Sequence, residues 1–353
     1  MALSFPNQSR FYDATRRAVR FWGHDSAMEA AFFVSEDALK RVQPTMRLDE
    51  AGLLGVWNAA MASDPMAPAV FRRKVLLDPN FDPAVCLVAE ADGAVRGFVL
   101  ALARRVPFFN QGLQPEEAWI TAFGVDPHRQ RQKIGSELLE AALRRLRDQG
   151  RATVTVSPYV PNYIIPGVDK AAYAPAIAFL KHHGFTEVSR PLSMRTELTG
   201  FRVPESVDQT AARLSNEGLE VRPAESADIL PVLEFVRQHF SWDWYREAAD
   251  VFGDLFAGDP LHVNLLVATQ AGEVVGYAQH RAERFGPFGV NPALRSRGIG
   301  RVLLARTLVE MLKSGYHAAW FLWTSDNAAR LYAQCGFQEV RRFAVMKRSL
   351  TSD

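Results

Sequence analysis

The feature that most constrains this chain is an internal repeat, in which blocks of the first half recur in the same order in the second half. The segment "CLVAEADGAVRGFVLAL" (86–102) matches "LLVATQAGEVVGYAQHR" (265–281), and each copy has the two apolar runs and the central turn of a β-hairpin. The frames "VDPHRQRQKIG" (125–135) and "VNPALRSRGIG" (290–300) form a second pair. Several blocks that recur in one order indicate a duplicated domain.

The repeat predicts how the chain divides. With 353 residues the chain is long for one domain. We assign residues 41–200 to a first domain, 201–217 to a polar linker and 218–353 to a second domain, and we describe residues 1–40 only as an N-terminal extension, since they have no counterpart. Each copy begins with a short strand pattern and then alternates strand and helix patterns around a hairpin, so we expect an α/β fold with a mixed sheet. The segment after the first Val-x-Pro frame has apolar residues at helical spacing and predicts a long helix with one apolar face and a solvated face of arginines.

Composition excludes several classes of protein. The formal net charge of +2 gives no broad surface for nucleic acid, and no apolar run is long enough to cross a membrane. The two cysteines, Cys86 and Cys335, lie far apart and provide neither a disulfide framework nor metal-ligand spacing. The first residues lack the pattern of a signal peptide. We expect a cytoplasmic monomer or homodimer with no metal, nucleic-acid or membrane partner.

A glycine-arginine turn follows the Val-x-Pro frame of the second copy. A helix N-terminus has unpaired N–H groups and the positive end of the helix dipole, so it favours phosphate. Gly298 and Gly300 allow close approach of the backbone, and Arg295 and Arg297 add charge. The segment lacks the Lys-Ser/Thr of a Walker A loop, and Leu303 replaces the third glycine of a Rossmann loop. An ordinary turn with solvated arginines is the alternative.

The remaining pattern, Arg/Gln-x-x-Gly-x-Gly/Ala after Val-x-Pro, resembles the acetyl-CoA loop of the GNAT N-acetyltransferase superfamily. A second similarity lies in "TSDNAARLYAQCGF" (324–337), although Ser325 stands where the family usually has Asn. The resemblance covers both repeats and implies two tandem GNAT acyl-CoA N-acyltransferase domains. It also implies acetyl-CoA as the cosubstrate and transfer of an acetyl group to a primary amine of a small molecule. The matching residues of the second segment are Ala328, Leu331, Tyr332, Gly336 and Phe337.

The resemblance further implies roles for residues of the second domain. A backbone N–H near Val290 would polarise the thioester carbonyl, and the amine would attack directly in a ternary complex. Tyr332 would protonate the leaving thiolate, with packing of its ring as the alternative role. The residues implied to bind acetyl-CoA are Phe288, Val290, Arg295, Ser296, Arg297, Gly298, Ile299, Gly300, Arg301, Ser325 and Asn327.

The general base and the acceptor pocket are less well defined. Gly286 stands where family members often have Glu, so we assign Glu283 as the base, with His280 or a water chain as alternatives. The aromatic run "HFSWDWYRE" (239–247) falls between the helices that line the acceptor pocket in the family. We assign the acceptor site to Trp242, Asp243 and Tyr245, with Asp243 holding a cationic amine and core packing of the aromatic rings as the alternative.

The first copy departs from the family pattern at two positions. Lys133 replaces the glycine that Gly298 represents, and Leu180 replaces Tyr332. We therefore expect the first domain to be structural or regulatory and the second to be catalytic. A non-catalytic acyl-CoA-binding module is the rival function, favoured by the missing strand carboxylate. The first copy does retain the matching residues Val125, Gln130 and Gly135.

Overall fold

The computed structural model describes residues 10–13, 18–25, 28–35, 50–257 and 262–351. Near the N-terminus, three antiparallel strands pair in the order β1-β2-β3. The short strand expected at the start of the first repeat lies outside the described residues. The three strands are β1 (Arg10–Asp13), β2 (Ala18–Asp25) and β3 (Met28–Ser35).

The chain forms two compact units that are not continuous in sequence. The first unit takes its residues from 1–164, 180–186 and 346–353, and the second from 165–179 and 187–345. The predicted division at residues 201–217 therefore describes the two repeats, whereas the compact units are assembled from other ranges.

The first unit is built on a mixed sheet of order β4-β5-β6-β7, with residues 346–349 of the last strand added antiparallel to β7. Neighbouring strands are antiparallel except for β6 and β7, which run parallel. Helices α1 and α3 pack against the sheet. The strands are β4 (Cys86–Ala91), β5 (Ala94–Leu102), β6 (Glu117–Val125) and β7 (Thr153–Val156), and the helices are α1 (Glu50–Ala60), α2 (Pro68–Phe71), which continues as a π-helical turn over Arg72–Leu76, and α3 (Ile134–Asp148).

The long helix expected after the first Val-x-Pro frame is confirmed as α3. Its apolar residues recur every three to four positions and so form one buried face. Arg144, Arg145 and Arg147 are exposed, as a solvated face predicts. The buried side chains are Leu138, Leu139, Ala142, Leu143 and Leu146.

The second unit is built on a larger mixed sheet of order β11-β12-β13-β14-β15-β10-β16. The parallel pair is β14 with β15. Strand β10, which belongs to the first repeat in sequence, lies here between β15 and β16. The strands are β8 (Val168–Asp169), β9 (Thr186–Ser189), β10 (Leu192–Glu197), β11 (Leu219–Pro223), β12 (Val263–Gln270), β13 (Glu273–Arg281), β14 (Arg284–Val290), β15 (Ala318–Thr324) and β16 (Gln338–Ser349), and both β8 and β9 pair with β16.

Helices cover both faces of the second sheet. Gly276 on β13 lies against Leu303 of α8, whereas Tyr277, the next residue, packs into the apolar cluster formed by α6 and α7. The polar segment predicted as a linker forms α5, whose Val207 and Leu214 are buried beside α8. The helices are α4 (Ala174–His182), α5 (Glu205–Asn216), α6 (Ile229–His239), α7 (Trp242–Ala257), α8 (Ile299–Lys313) and α9 (Asp326–Ala333). The predicted fold class, α/β with a mixed sheet in each repeat, is confirmed.

Candidate active site

The parallel strands β14 and β15 part almost as soon as they meet. Among the described residues they pair only at Arg284 and Trp320, next to a hydrogen bond from Trp320 N to Glu283 O of 3.0 Å. From there β15 pairs with β10 on its other side, while β14 stays paired with β13 up to Val290. A gap bordered by backbone groups therefore opens along the second half of β14.

The backbone of β14 presents N–H groups to this gap. Asn291 N donates to Val275 O on β13 at 2.9 Å, so Asn291 faces β13. Successive residues of a strand direct their N–H and C=O groups to alternate sides. The N–H groups of Val290 and Phe288 consequently point away from β13 and into the gap, as the predicted role of Val290 requires.

The glycine-arginine turn lies at the end of this gap. Asn291 Oδ1 accepts from Ala293 N at 2.9 Å and starts the turn, and the backbone then becomes left-handed at Ser296 (φ 67°) and Gly298 (φ 95°). Helix α8 begins at Ile299. The N–H groups of Ile299 and Gly300 have no acceptor in the described part of the chain. The predicted anion site is thus a helix N-terminus with open donors.

The three arginines of the turn differ in their partners. Arg295 is exposed, and its guanidinium has no hydrogen bond to any residue the structure describes. Arg297 pairs with Glu217 at 2.5 Å. Arg301 donates to Thr210 Oγ1 and Gln334 Oε1, each at 3.3 Å. Sequence reasoning treated the arginines as equivalent, whereas only Arg295 is fully available to a ligand.

Tyr332, the predicted acid, lies on α9 within an aromatic cluster. Its ring is 4.3 Å from that of Phe321 and 5.6 Å from that of Phe288, and its side chain is 9% exposed. No described residue bonds its hydroxyl, and burial raises the pKa of the phenol well above its ordinary value of 10. Both predicted roles, packing and proton donation, are compatible with this position.

The two polar residues predicted at the start of α9 have different environments. Ser325 caps the helix, because its Oγ accepts from Ala328 N at 3.3 Å. Asn327, two residues further along, is exposed, as is Ser325. The oxygen of Ser325 is used as a helix cap, whereas no described residue bonds the side-chain amide of Asn327.

The candidates for the general base lie away from the gap. Glu283 occupies the β13–β14 turn, and a strand rise of 3.3 Å per residue puts it roughly 15 Å from Phe288. His280 is buried on the face toward α8, where its ring lies 5.8 Å from that of Tyr316. Burial lowers the pKa of His280. The assignment of Glu283 stays a prediction.

The predicted acceptor residues lie on α7, and one of them already has a cationic partner. Asp243 pairs with Arg246 at 3.0 Å, and burial raises the pKa of Asp243. Trp242 and Tyr245 contact each other at 5.2 Å, with both rings half-buried. Arg246 therefore already pairs with the carboxylate that we expected to hold a substrate amine.

The structure adds polar residues that sequence reasoning did not identify. Glu247, one turn after Asp243, pairs with Arg284 of β14 at 3.0 Å. Tyr277 and Gln279 of β13 are buried on the face toward α6 and α7. The signal available in the sequence was the polar Gln279 at an inward position of the otherwise apolar run "VVGYAQ".

The loop of the first unit keeps the conformation of its counterpart despite its altered sequence. Arg131 and Lys133 have φ values of 62° and 68°, close to those of Ser296 and Gly298. The backbone at Lys133 is therefore left-handed rather than helical. Leu180, at the position of Tyr332, is 4% exposed and brings no proton donor.

Two kinds of feature are absent from the described residues. No cluster of three or more His, Cys, Asp or Glu side chains that could bind a metal ion occurs among them. None of the helices in the described ranges has the length and apolar content needed to span a bilayer.

A mixed sheet that opens between parallel strands above such a turn is the arrangement that the resemblance to the GNAT superfamily predicts, and comparison with known proteins agrees. The family described as acetyltransferase (GNAT) family matches residues 56–185, and an acetyltransferase (GNAT) domain matches residues 262–339. The two matches together span more than half of the chain. The chain belongs to the GNAT superfamily and carries two GNAT domains in tandem. A family of unknown function, DUF1488, matches residues 3–60.

Similar proteins share parts of the chain or its fold. A mycothiol acetyltransferase from Sanguibacter keddieii is 34% identical over 105 residues, which is 29% of this chain and 32% of that protein, so the match spans about a third of the relative.

Three solved structures share the fold. The glucosamine N-acetyltransferase region of a fungal GH3 beta-N-acetylglucosaminidase has a TM-score of 0.67 at 18% identity, covering 83% of this chain and 36% of that one. A tandem GNAT protein from the clavulanic acid biosynthesis pathway has a TM-score of 0.56 at 17% identity, covering 86% of this chain and 97% of that one. A GCN5-related N-acetyltransferase from Sphaerobacter thermophilus has a TM-score of 0.59 at 19% identity, covering 86% of this chain and 94% of that one.

Proposed function

We propose that this protein is an N-acetyltransferase that moves the acetyl group of acetyl-CoA to a primary amine of a small molecule, with the second domain as the catalytic one. The observation that carries the proposal is the gap between β14 and β15, which β14 lines with N–H groups and which ends at the open N-terminus of α8. The partial match to a mycothiol acetyltransferase supports acetyl transfer as the reaction type.

The second domain has the features that acetyl-CoA requires. The N–H groups of Ile299 and Gly300 and the unpaired Arg295 would hold the pyrophosphate. The residues bordering the gap, Phe288 and Val290, would flank the pantetheine arm. When bound, acetyl-CoA supplies the acetyl group as an activated thioester.

The chain itself contributes a donor, an acid and positioning. The N–H of Val290 stabilises negative charge on an oxygen that lies in the gap. Tyr332 keeps its proton at neutral pH, because even an unperturbed phenol has a pKa near 10 and burial raises it further, and we assign to it the transfer of that proton to a departing sulfur. Glu283 remains our assignment for the group that finally accepts the proton of the amine, and its distance from the gap means that water molecules would have to carry the proton to it.

The rival function is a non-catalytic acyl-CoA-binding module. Two observations favour it: Gly286 occupies the usual position of the strand carboxylate, and Asp243 is already paired with Arg246. The presence of Tyr332 beside the gap favours the enzyme.

The experiment that separates the two functions measures free thiol released from acetyl-CoA with a mixed panel of amines, alongside titration of acetyl-CoA binding. Thiol release that depends on an amine, with the acetylated amine identified by mass, supports the enzyme. Tight acetyl-CoA binding without amine-dependent release would support the binding module. Arg295→Glu, which reverses the charge of an exposed arginine that no described residue bonds, serves as the control with weakened cofactor binding.

A further inference from the structure

Three buried polar atoms of the second unit have no hydrogen-bond partner among the described residues, and all three belong to β13. His280 Nε2 lies on the face toward α8, whereas the hydroxyl of Tyr277 and the side-chain carbonyl oxygen of Gln279 share the opposite face, on residues that are 0% and 1% exposed. Leaving such a group unpaired in the interior is unfavourable, because its hydrogen bond to water is lost and not replaced. Two such atoms on one short stretch of strand call for a ligand that satisfies them.

Both side chains face α6 and α7 from the same side of β13. Tyr277 packs among the apolar residues of those helices, and Gln279, two residues further along, shares its face because side chains of a strand alternate. Gln279 lies opposite the irregularity in β14 at Gly286 and Pro287. A Cβ on Gly286 would have only Phe288 N within 4 Å, at 3.8 Å, so space is open there. The two orphan atoms therefore border the same strand segment that lines the predicted site.

The buried tyrosine of the first unit has the opposite environment. Tyr159 is also 0% exposed, but its hydroxyl donates to Asp78 Oδ1 at 3.0 Å and accepts from Asn80 Nδ2 at 2.7 Å. The hydroxyl of this structural tyrosine thus has both a hydrogen-bond acceptor and a donor within the fold. The unpaired hydroxyl of Tyr277 differs from that pattern.

The charges around the orphan atoms indicate what would bind. The carboxylates of Glu247 and Asp243 lie close enough to Tyr277 to raise the pKa of its phenol, in addition to burial. The cations nearby are already paired, since Arg246 contacts Asp243 and Arg284 contacts Glu247. The unpaired oxygen of Gln279 accepts hydrogen bonds, and the hydroxyl of Tyr277 can accept as well as donate. A third carboxylate, Asp250, also contacts Arg246, so three carboxylates stand against two arginines, and this excess of negative charge favours a cationic donor and disfavours a carboxylate.

We propose that Tyr277 and Gln279 form the recognition site for a second donor group of the acceptor, which is a small cationic amine that carries a further N–H or O–H donor and no carboxylate. This inference rests on the proposed function, because it takes the acceptor to be an amine. Tyr277 and Gln279 act as specificity residues and take no part in proton transfer.

A matched series of four-carbon amines tests the proposal by binding rather than by turnover. Putrescine, aminobutanol, butylamine and γ-aminobutyrate share one chain length and differ in the group at the far end. Calorimetric titration, with and without saturating CoA, should give at least about tenfold tighter binding for putrescine and aminobutanol than for butylamine, which is the value of one good hydrogen bond. γ-Aminobutyrate should bind most weakly. Equal binding of all four, or no saturable binding of any, would overturn the proposal.

Variants distinguish recognition from a structural role. Tyr277→Phe and Gln279→Met each remove an unpaired polar atom, so thermal stability should stay level or rise while the preference for putrescine over butylamine falls about tenfold. The control Tyr159→Phe breaks two bonds, so it should lower stability and leave the preference unchanged. If Tyr277→Phe lowered stability and kept the preference, the tyrosine would be structural. Thiol release from acetyl-CoA reports separately on the proposed function, so a protein that ranks the amines without acetylating them would refute only the latter.

Discussion

Gly298 in the turn before α8 lies directly against Thr210 of α5: a Cβ on Gly298 would come within 2.5 Å of Thr210 Cγ2. The residue also has a φ of 95°, which side chains of L-residues rarely adopt. Sequence reasoning assigned this glycine to the approach of a phosphate. The structure shows two further reasons why a glycine stands at this position: the left-handed backbone and the close packing of α5. Mutation can separate the two.

Gly298→Ala should lower the free energy of unfolding by about 1–3 kcal/mol, from the left-handed backbone and the contact with Thr210. Urea denaturation provides the measurement. Adding Thr210→Ser should restore the part that comes from the contact, because serine lacks the methyl group that meets the new Cβ and keeps the hydroxyl that bonds Arg301. A double variant no more stable than Gly298→Ala alone would mean that the helix contact contributes nothing and that backbone conformation accounts for the whole loss.

Lys133→Gly in the first unit should have the opposite effect. Lys133 is exposed and has a φ of 68°, so glycine relieves a conformation that costs roughly 1 kcal/mol, partly offset by the greater freedom of glycine in the unfolded chain. We expect an increase in unfolding free energy of up to about 1 kcal/mol. The control Glu137→Gly, at an exposed position in the first turn of α3, should lose about 1 kcal/mol. Destabilisation by both changes would contradict the left-handed assignment.

The features that the sequence predicted are those set by local spacing. The helix face of α3 and the frame of the turn at Gly298 depend on residues a few positions apart, which fix helix periodicity and the position of a helix start. The repeat then carried the same prediction to both halves.

The features that the sequence could not predict depend on residues distant in the chain. Strand β10 lies between β15 and β16, a choice made by packing among segments far apart in sequence. The pairing of Asp243 with Arg246 was within reach of the i,i+3 spacing on α7 and was missed. The unpaired hydroxyl of Tyr277 could not be foreseen, because it depends on what every neighbouring element leaves unbonded.

An ion pair at the start of α6 predicts a pH dependence of stability. Arg222 contacts both oxygens of Asp228, at 2.6 and 3.0 Å, and lowers the pKa of that carboxyl below its ordinary 3.8. A lowered pKa means that the pair stabilises the fold fully above the unfolded pKa and that this contribution is lost as the pH falls through the folded pKa. Asp228→Asn should therefore cost about 1–3 kcal/mol at pH 7.

Urea denaturation between pH 7 and pH 3 checks this prediction. The difference between the wild type and Asp228→Asn should stay constant down to about pH 5 and shrink below about pH 4. Glu234→Gln, which removes an exposed partner of Arg237, is the matched control and should change stability little at any pH. A difference that grew on acidification would have the wrong sign for a carboxylate stabilised by Arg222.

Tyr332→Phe tests the acid that the proposed mechanism requires. The substitution keeps the ring that packs against Phe321 and Phe288 and removes a hydroxyl that no described residue bonds, so stability should be unchanged. Affinity for acetyl-CoA should also persist, because the open donors of the turn at Ile299 and Gly300 are intact. The turnover number should fall by roughly 10²–10⁴, the usual contribution of one acid-base group, with the loss in kcat rather than in cofactor binding.

Steady-state kinetics with acetyl-CoA titration on the same preparations checks the split between kcat and binding. Leu180→Met, at the equivalent position of the first unit, is the matched control, since a buried apolar exchange of similar volume should leave kcat untouched. Full kcat in Tyr332→Phe, with the chemical step rate-limiting, would assign Tyr332 to packing and leave protonation of the thiolate to solvent.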